Sequence, residues 1–336
     1  MENFYKDMEG LTFRGMESGT LELSKNQKDY LGELTVSEQD WNSLSTEKQS
    51  NLINALNSRM DELSETTAIR KEDIISHELP SWLATEVRQL EKTDFLKQVK
   101  ELDEEIKKMP CEKEGAKVIL DGIINPERYF DAKERIIALV KDPYDSEGTD
   151  LGGWSLPESL NAKESLAEQS SNGLPTFRPL VAIANQINDN KTYSEIKPDL
   201  MSKEAYDTYK SCSGHINVGK ELILDSTYSS EKRTAKLAIE NRDIIEKQIK
   251  IYDPTVVIGG GTLHHFVEDK GENFSILGEI IPKENFREFG RTKVYFNENR
   301  VFIDTYHPSR RPITMKDEAY CDQIADIVKK WRNNTL

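Results

Sequence analysis

Arg135-Ile-Ile-Ala-Leu-Val140 runs directly into Lys141-Asp142-Pro143-Tyr144-Asp145, and this junction decides the fold class. Five consecutive apolar residues halted by turn-forming ones spell a strand covered on both faces, the pattern of a parallel sheet rather than of a half-exposed hairpin. Three further segments are expected as core strands: Gly214-His-Ile-Asn-Val218, interrupted by polar residues, and Pro254-Thr-Val-Val-Ile258 and Arg300-Val-Phe-Ile-Asp304, with shorter apolar runs. Between the second and third, residues 232–251 carry Leu237, Ile244, Ile245 and Ile249 at helical spacing, and residues 316–331 form another amphipathic stretch. Short apolar runs alternating with helices predict an α/β fold with a mainly parallel, four-stranded central sheet. Residues 145–178, rich in Ser, Gly and Pro, predict a long functional loop with a short helix near 162–170.

Upstream of Pro110 the text is different. Leu52, Ala55, Leu56, Met60 and Leu63 recur at helical spacing behind a Thr46–Gln49 capping-box pattern, and residues 81–108 predict a second, highly charged helix. Residues 1–110 hold 23 acidic and 14 basic side chains, and the whole 336-residue chain has a formal charge of −15. The expected organisation is therefore a helical accessory region over 1–112 and a catalytic domain over 113–336. Such acidity argues against a non-specific nucleic-acid coat, because binding to a polyanion proceeds by replacing its counterions with Lys and Arg. Within residues 286–316 the balance reverses to seven bases against three acids, which predicts a local basic face. No window approaches eighteen apolar residues and the first ten lack a basic flank with an apolar core, so neither a spanning helix nor a secretory signal is expected, and the cytoplasm is the expected compartment. Cys111, Cys212 and Cys321 are about a hundred residues apart, the spacing of buried thiols rather than of a disulfide framework or a metal cluster.

Functional residues of open α/β sheets gather at the carboxyl ends of the strands. Here those ends carry Asp142-Pro143-Tyr144, Asn217, Gly259-Gly260-Gly261 and His307-Pro308-Ser309. The glycine run has neither dinucleotide-binding nor P-loop spacing and predicts a tight strand-to-helix turn. His264 and His265, adjacent in sequence, are expected to point apart on a helix, and no HxxxH or HExxH spacing supports a metal. No cofactor is expected. His77 and His215 read as surface or sheet residues.

With Trp154-Ser155 between the first motif and Asn217, the chain resembles the uracil-DNA glycosylase superfamily over roughly residues 116–332, and Asp121-Gly-Ile-Ile-Asn-Pro126 and residues 249–261 share in the likeness. The resemblance implies a three-layer sandwich and a base-flipping DNA glycosylase that hydrolyses the N-glycosidic bond of uracil or a modified pyrimidine without a metal. It implies Asp142 and His307 as catalytic residues: a carboxylate to stabilise the sugar cation and orient water, and an imidazole donating to the departing base. Trp154 is implied to stack on the base, Asn217 to read its edge, and Tyr144 to stand against its 5-position. Lys141, Ser155, Ser309, Arg310 and Arg311 are the implied DNA contacts. Typical members carry Gly-Gln and His where this chain has Val140-Lys141 and Asp145, which points to a reshaped pocket, for example for hypermodified cytosine in phage DNA. The partner implied is single- or double-stranded DNA, with no membrane and with residues 1–112 available to a protein partner. A module that keeps the fold without the chemistry, binding nucleic acid or protein, is the competing expectation.

Overall fold

The computed structural model describes residues 27–28, 31, 38–67, 71, 74–75, 79–145, 150–224 and 229–336. His77 lies outside them. The chain divides into two compact units, Met1–Glu91 and Lys92–Leu336. In the first, α1 (Glu38–Ser43) and α2 (Thr46–Thr67) precede α3 (Ser81–Ile106), which begins in this unit and ends in the second. Ile53, Leu56, Met60 and Leu63 of α2 pack with Trp41, Leu83 and Val87, so the buried stripe is set by Ile53 and not by the exposed Ala55. The cap of α2 is Ser45, whose Oγ accepts from the Lys48 amide at 3.4 Å. Gln49 donates instead to the Trp41 carbonyl, so the expected capping box does not form.

The second unit opens with β1 (Gly122–Ile123), α4 (Pro126–Phe130), β2 (Ile136–Val140), β3 (Tyr144–Asp145), α5 (Leu156–Asn161), α6 (Leu174–Asp189), α7 (Tyr193–Ile196) and α8 (Lys203–Cys212). It continues with β4 (Ser213–Asn217), β5 (Ile223–Leu224), α9 (Glu231–Glu240), α10 (Arg242–Tyr252) and β6 (Val256–Gly260). Then come β7 (Val267–Asp269), β8 (Asn273–Ile276), β9 (Glu279–Pro282), β10 (Phe286–Phe289), β11 (Thr292–Phe296), β12 (Val301–Thr305) and α11 (Asp317–Arg332).

The protein is α/β, and the four strands expected from sequence are β2, β4, β6 and β12. They form the parallel centre of a sheet in the order β4-β2-β6-β12, every residue of the four being buried. The sheet itself is larger than expected: β1 adds to β4, and β11 and β10 extend the β12 edge, all antiparallel, giving seven strands. These additions are two to five residues long and partly polar, too short to carry a clear alternation. Successive residues of β2 point to opposite faces. Ile136, Ala138 and Val140 pack on α6, α8 and α11, while Ile137 and Leu139 meet α10 and the end of α3, where Phe95, Val99, Leu102 and Ile106 are buried.

Two other expectations are corrected. The helix expected over 232–251 is two helices, because Asn241 leaves helical geometry and donates its Nδ2 to the Val218 carbonyl at 2.8 Å. The short helix expected near 162–170 is a single 3-10 turn, Leu166–Glu168, and the α-helix of this stretch is α5, which precedes it and is started by Ser155, whose Oγ accepts from the Glu158 amide.

A buried polar cluster joins the carboxyl end of β4 to the segment before β1. Asp121 is fully buried and accepts from the Asn217 amide (2.7 Å), from Lys220 Nζ (2.8 and 2.9 Å) and from Gln248 Nε2 (2.8 Å). Lys220 Nζ also donates to Gln248 Oε1 at 2.8 Å, which closes the cluster. Burial alone draws the Lys220 ammonium below its usual range, against the pull of Asp121. Removing one member leaves an uncompensated charge in the core, so Lys220→Met lowers the unfolding free energy by about 3–5 kcal/mol in denaturant titration. The double variant Asp121→Leu/Lys220→Met recovers most of that loss, whereas additive losses would show that the pair does not act as a unit.

Candidate active site

The carboxyl ends of the four parallel strands lie on one edge of the sheet, in register: Val140 stands opposite Asn217, Leu139 opposite Gly259, and Gly260 opposite Thr305. The loops that leave these ends stay together. The Val218 amide donates to the Val140 carbonyl, Ile223 to Pro143, and Gly261 to Thr305.

Asp142 follows β2 with its side chain fully buried. Its Oδ2 accepts from Ser229 Oγ at 2.7 Å and from Arg233 Nε at 3.1 Å, both supplied by the start of α9. Its Oδ1 is buried and has no hydrogen-bond partner among the described residues. Gly219 makes this placement sterically feasible, since a Cβ there would lie 2.3 Å from Oδ1. Asn217, at the end of β4, is 5% exposed; its backbone amide is held by Asp121 while its Nδ2 is a second buried group with no partner among the described residues. Two orphaned polar atoms at one sheet edge are unusual, because buried donors and acceptors are almost always paired.

His307 follows β12 and is partly buried. Its Nδ1 accepts from the Ser309 amide at 3.2 Å and lies 2.9 Å from Ser309 Oγ. A backbone amide can only donate, so Nδ1 is the unprotonated nitrogen and Nε2 carries the proton. Burial, then Lys141 and Arg310, pull its pKa down to about 4, which keeps the ring neutral at physiological pH. Lys141 reaches the same place: a Cβ on Gly261 would lie 3.9 Å from Lys141 Cε and 4.0 Å from the His307 amide nitrogen. Lys141 Nζ is also 3.3 Å from Glu231 Oε2. Gly259 and Gly260 belong to β6, so the turn expected of the glycine run begins only at Gly261, with φ of +69°.

The remaining expected residues are dispersed. The backbone of Tyr144 pairs with Ile223, but its side chain and that of Asp145 lie outside the described residues. Trp154 is 37% exposed, and its indole N–H is bound by Asp150 Oδ2 at 2.7 Å. Ser155 is occupied as the cap of α5 and Ser309 as the partner of His307. Arg311 donates to Asp317 at 2.5 Å and covers the Tyr320 ring, with a side chain 11% exposed, so it braces α11 and is not presented to a ligand; Arg310 is exposed. The basic segment is likewise partly consumed inside the protein. Arg300 is buried against Asp253 and Glu279, and Arg287 donates to the carbonyls of Glu284, Phe286 and Leu336.

Sequence reasoning missed Ser229, Arg233 and Gly219, which hold or accommodate Asp142. The only signal was Ser229-Ser230 ahead of a helical run, which reads as a cap; Ser230 is indeed that cap, accepting from the Arg233 amide. His264 and His265 do not point apart. They lie on a 3-10 turn, Leu263–Phe266, and both reach Glu231. Comparison with known proteins adds no relative: no family model matches the chain, and neither a curated protein nor a solved structure does.

Proposed function

We propose that the protein is a DNA glycosylase that flips uracil or a modified pyrimidine out of the stack and hydrolyses its N-glycosidic bond, leaving an abasic site. The observation that carries this reading is the pairing at one sheet edge of a buried carboxylate with a neutral imidazole whose free position is Nε2–H. Glycosidic cleavage builds positive charge on the sugar and negative charge on the departing base. Asp142 faces the first charge; its unpartnered Oδ1 is suited to accept a proton from the attacking water, while Ser229 and Arg233 keep the carboxylate oriented. His307 faces the second. A neutral Nε2–H strengthens its hydrogen bond as the base oxygen becomes anionic, and Ser309 fixes the ring for that donation. The unpartnered Nδ2 of Asn217 is a donor suited to a pyrimidine carbonyl.

Lys141, next to Asp142 where typical members of the resembled family have Gln, favours a base with a polar substituent, and hypermodified cytosine in foreign DNA is the substrate class that fits this difference. A binding module without catalysis is the second reading; the Arg233–Asp142 ion pair favours it, because a guanidinium neutralises part of the charge that the sugar cation needs.

Asp142→Asn lowers the single-turnover rate of abasic-site formation by about 10²–10⁴-fold with DNA affinity nearly unchanged. A mutant as fast as the wild type removes Asp142 from the chemistry. The working form of His307 is the neutral one, so the rate stays level as pH falls from 8 to 5 and drops only as pH passes through about 4. A rate that rises as pH falls through 6–7 would mean that imidazolium is the active form. In salt titrations of DNA binding, Arg310→Ala flattens the slope of log affinity against log salt by about one unit. Arg311→Ala leaves the slope unchanged and lowers the melting temperature, because its guanidinium is engaged with Asp317 and Tyr320; the opposite pattern would put Arg311 on the DNA.

A further inference from the structure

Glu231, His264 and His265 each offer a ligand atom, and the three atoms lie within 4.8 Å of one another. His264 Nε2 is 2.7 Å and His265 Nε2 is 3.0 Å from the same carboxylate oxygen, Oε1 of Glu231. The His265 approach lacks hydrogen-bond geometry, and that nitrogen is buried with no hydrogen-bond partner among the described residues. The other nitrogen of His264, Nδ1, is 3.4 Å from Oδ2 of Asp304, a residue 8% exposed on β12. Thr262 anchors the turn that carries both histidines by donating to the Leu139 carbonyl at 2.6 Å.

We propose that Glu231, His264 and His265 form a binding site for a zinc-class divalent cation. The ligand set is two imidazoles and one carboxylate, which leaves a fourth tetrahedral position open to water or to a ligand oxygen. Bonds of about 2.0–2.2 Å in a tetrahedral site place ligand atoms about 3.3 Å apart, so the present separations need only small adjustments. Asp304 stands where metal-bound histidines ordinarily have a companion: its carboxylate lies 3.4 Å from the far nitrogen, and a small turn of the ring on metal binding would let it accept there, fix the tautomer and direct the Nε2 lone pair at the ion. The exposed faces of Glu231 and His264, with side chains 59% and 40% accessible, give the ion a path from solvent. Hard, strongly hydrated Mg²⁺ is a poor match for two imidazoles.

The site has a structural consequence. Glu231 stands between Ser229 and Arg233, the two residues that hold Asp142 Oδ2. An ion joining Glu231 to the 3-10 turn ties the start of α9 to the end of β6 and so stiffens the support of that carboxylate. This inference rests on coordination geometry and not on the glycosylase reading, and its test needs no DNA.

The full-length chain, untagged and stripped with EDTA, is titrated with Zn²⁺ by calorimetry. One ion binds per chain, His264→Ala and Glu231→Gln each weaken it by at least about tenfold, and Asp304→Asn by about 10–100-fold. Mg²⁺ gives no saturable heat. Both ligand variants change largely exposed side chains, and their circular dichroism reports folding. Substitution with Co²⁺ in the wild type gives visible d–d bands without a thiolate charge-transfer band, since none of the three cysteines is in the set. Absence of saturable Zn²⁺ binding, binding unchanged in folded His264→Ala and Glu231→Gln, or a thiolate band would each overturn the proposal.

Discussion

The Asp121–Lys220 ion pair, sealed from water with Gln248, is the constraint on which the geometry of the sheet edge depends. A charge pair in the core is costly to bury and is stable only when its remaining donors and acceptors are satisfied. Here the acceptor is shared with the Asn217 backbone amide, so the same carboxylate that neutralises Lys220 also fixes where β4 stops. One residue before Lys220, Gly219 lies against Asp142, and a side chain in its place would collide with the carboxylate. The pair therefore sets the positions of both Asn217 and the wall behind Asp142.

Asp142 and His307 are supported by opposite devices. Asp142 is buried yet compensated, with a guanidinium and a hydroxyl on one oxygen and the other left open. His307 is kept uncharged by burial, by two nearby cations and by an amide that can only donate to it. Under the proposed function, such divergence of environments lets one sheet edge offer both a carboxylate and a neutral hydrogen-bond donor. The Glu231, His264 and His265 cluster adds a third element to this edge, and through α9 it bears on the residues that hold Asp142.

Most of the central sheet was legible because β2, β6 and β12 are covered on both faces and carry short apolar runs, the direct sequence record of that burial; β4, Ser-Gly-His-Ile-Asn, is equally buried without such a run. The ends of β2 and β12 were legible because Lys141-Asp142-Pro143 and Asp304 break the apolar runs, with Asp142 and His307 close behind. The edge strands were not, since β1 has two residues and the four-residue β10 carries two adjacent polar residues, Arg287 and Glu288, which break any alternation. The engagement of Arg311 with Asp317 was not legible, because an arginine beside a motif carries no mark of whether it faces solvent or an acidic helix start. The two histidines were misread through an assumed α-helix; a 3-10 turn followed directly by β7 directs both rings to a residue more than thirty positions away, and no local spacing encodes that. The supporters of Asp142 were likewise invisible, because Ser229 and Arg233 are about ninety residues distant in the chain.

Under the proposed function, this edge breaks the bond between base and sugar. The direct test incubates the protein with single- and double-stranded DNA containing uracil, and with DNA containing hypermodified cytosines, and identifies the small molecules released by mass spectrometry while counting abasic sites. The expected product is a free base, released in one-to-one ratio with abasic sites, from at least one of these DNAs. Release of nucleotides or strand breaks without a free base, or no product from any of them, would contradict it.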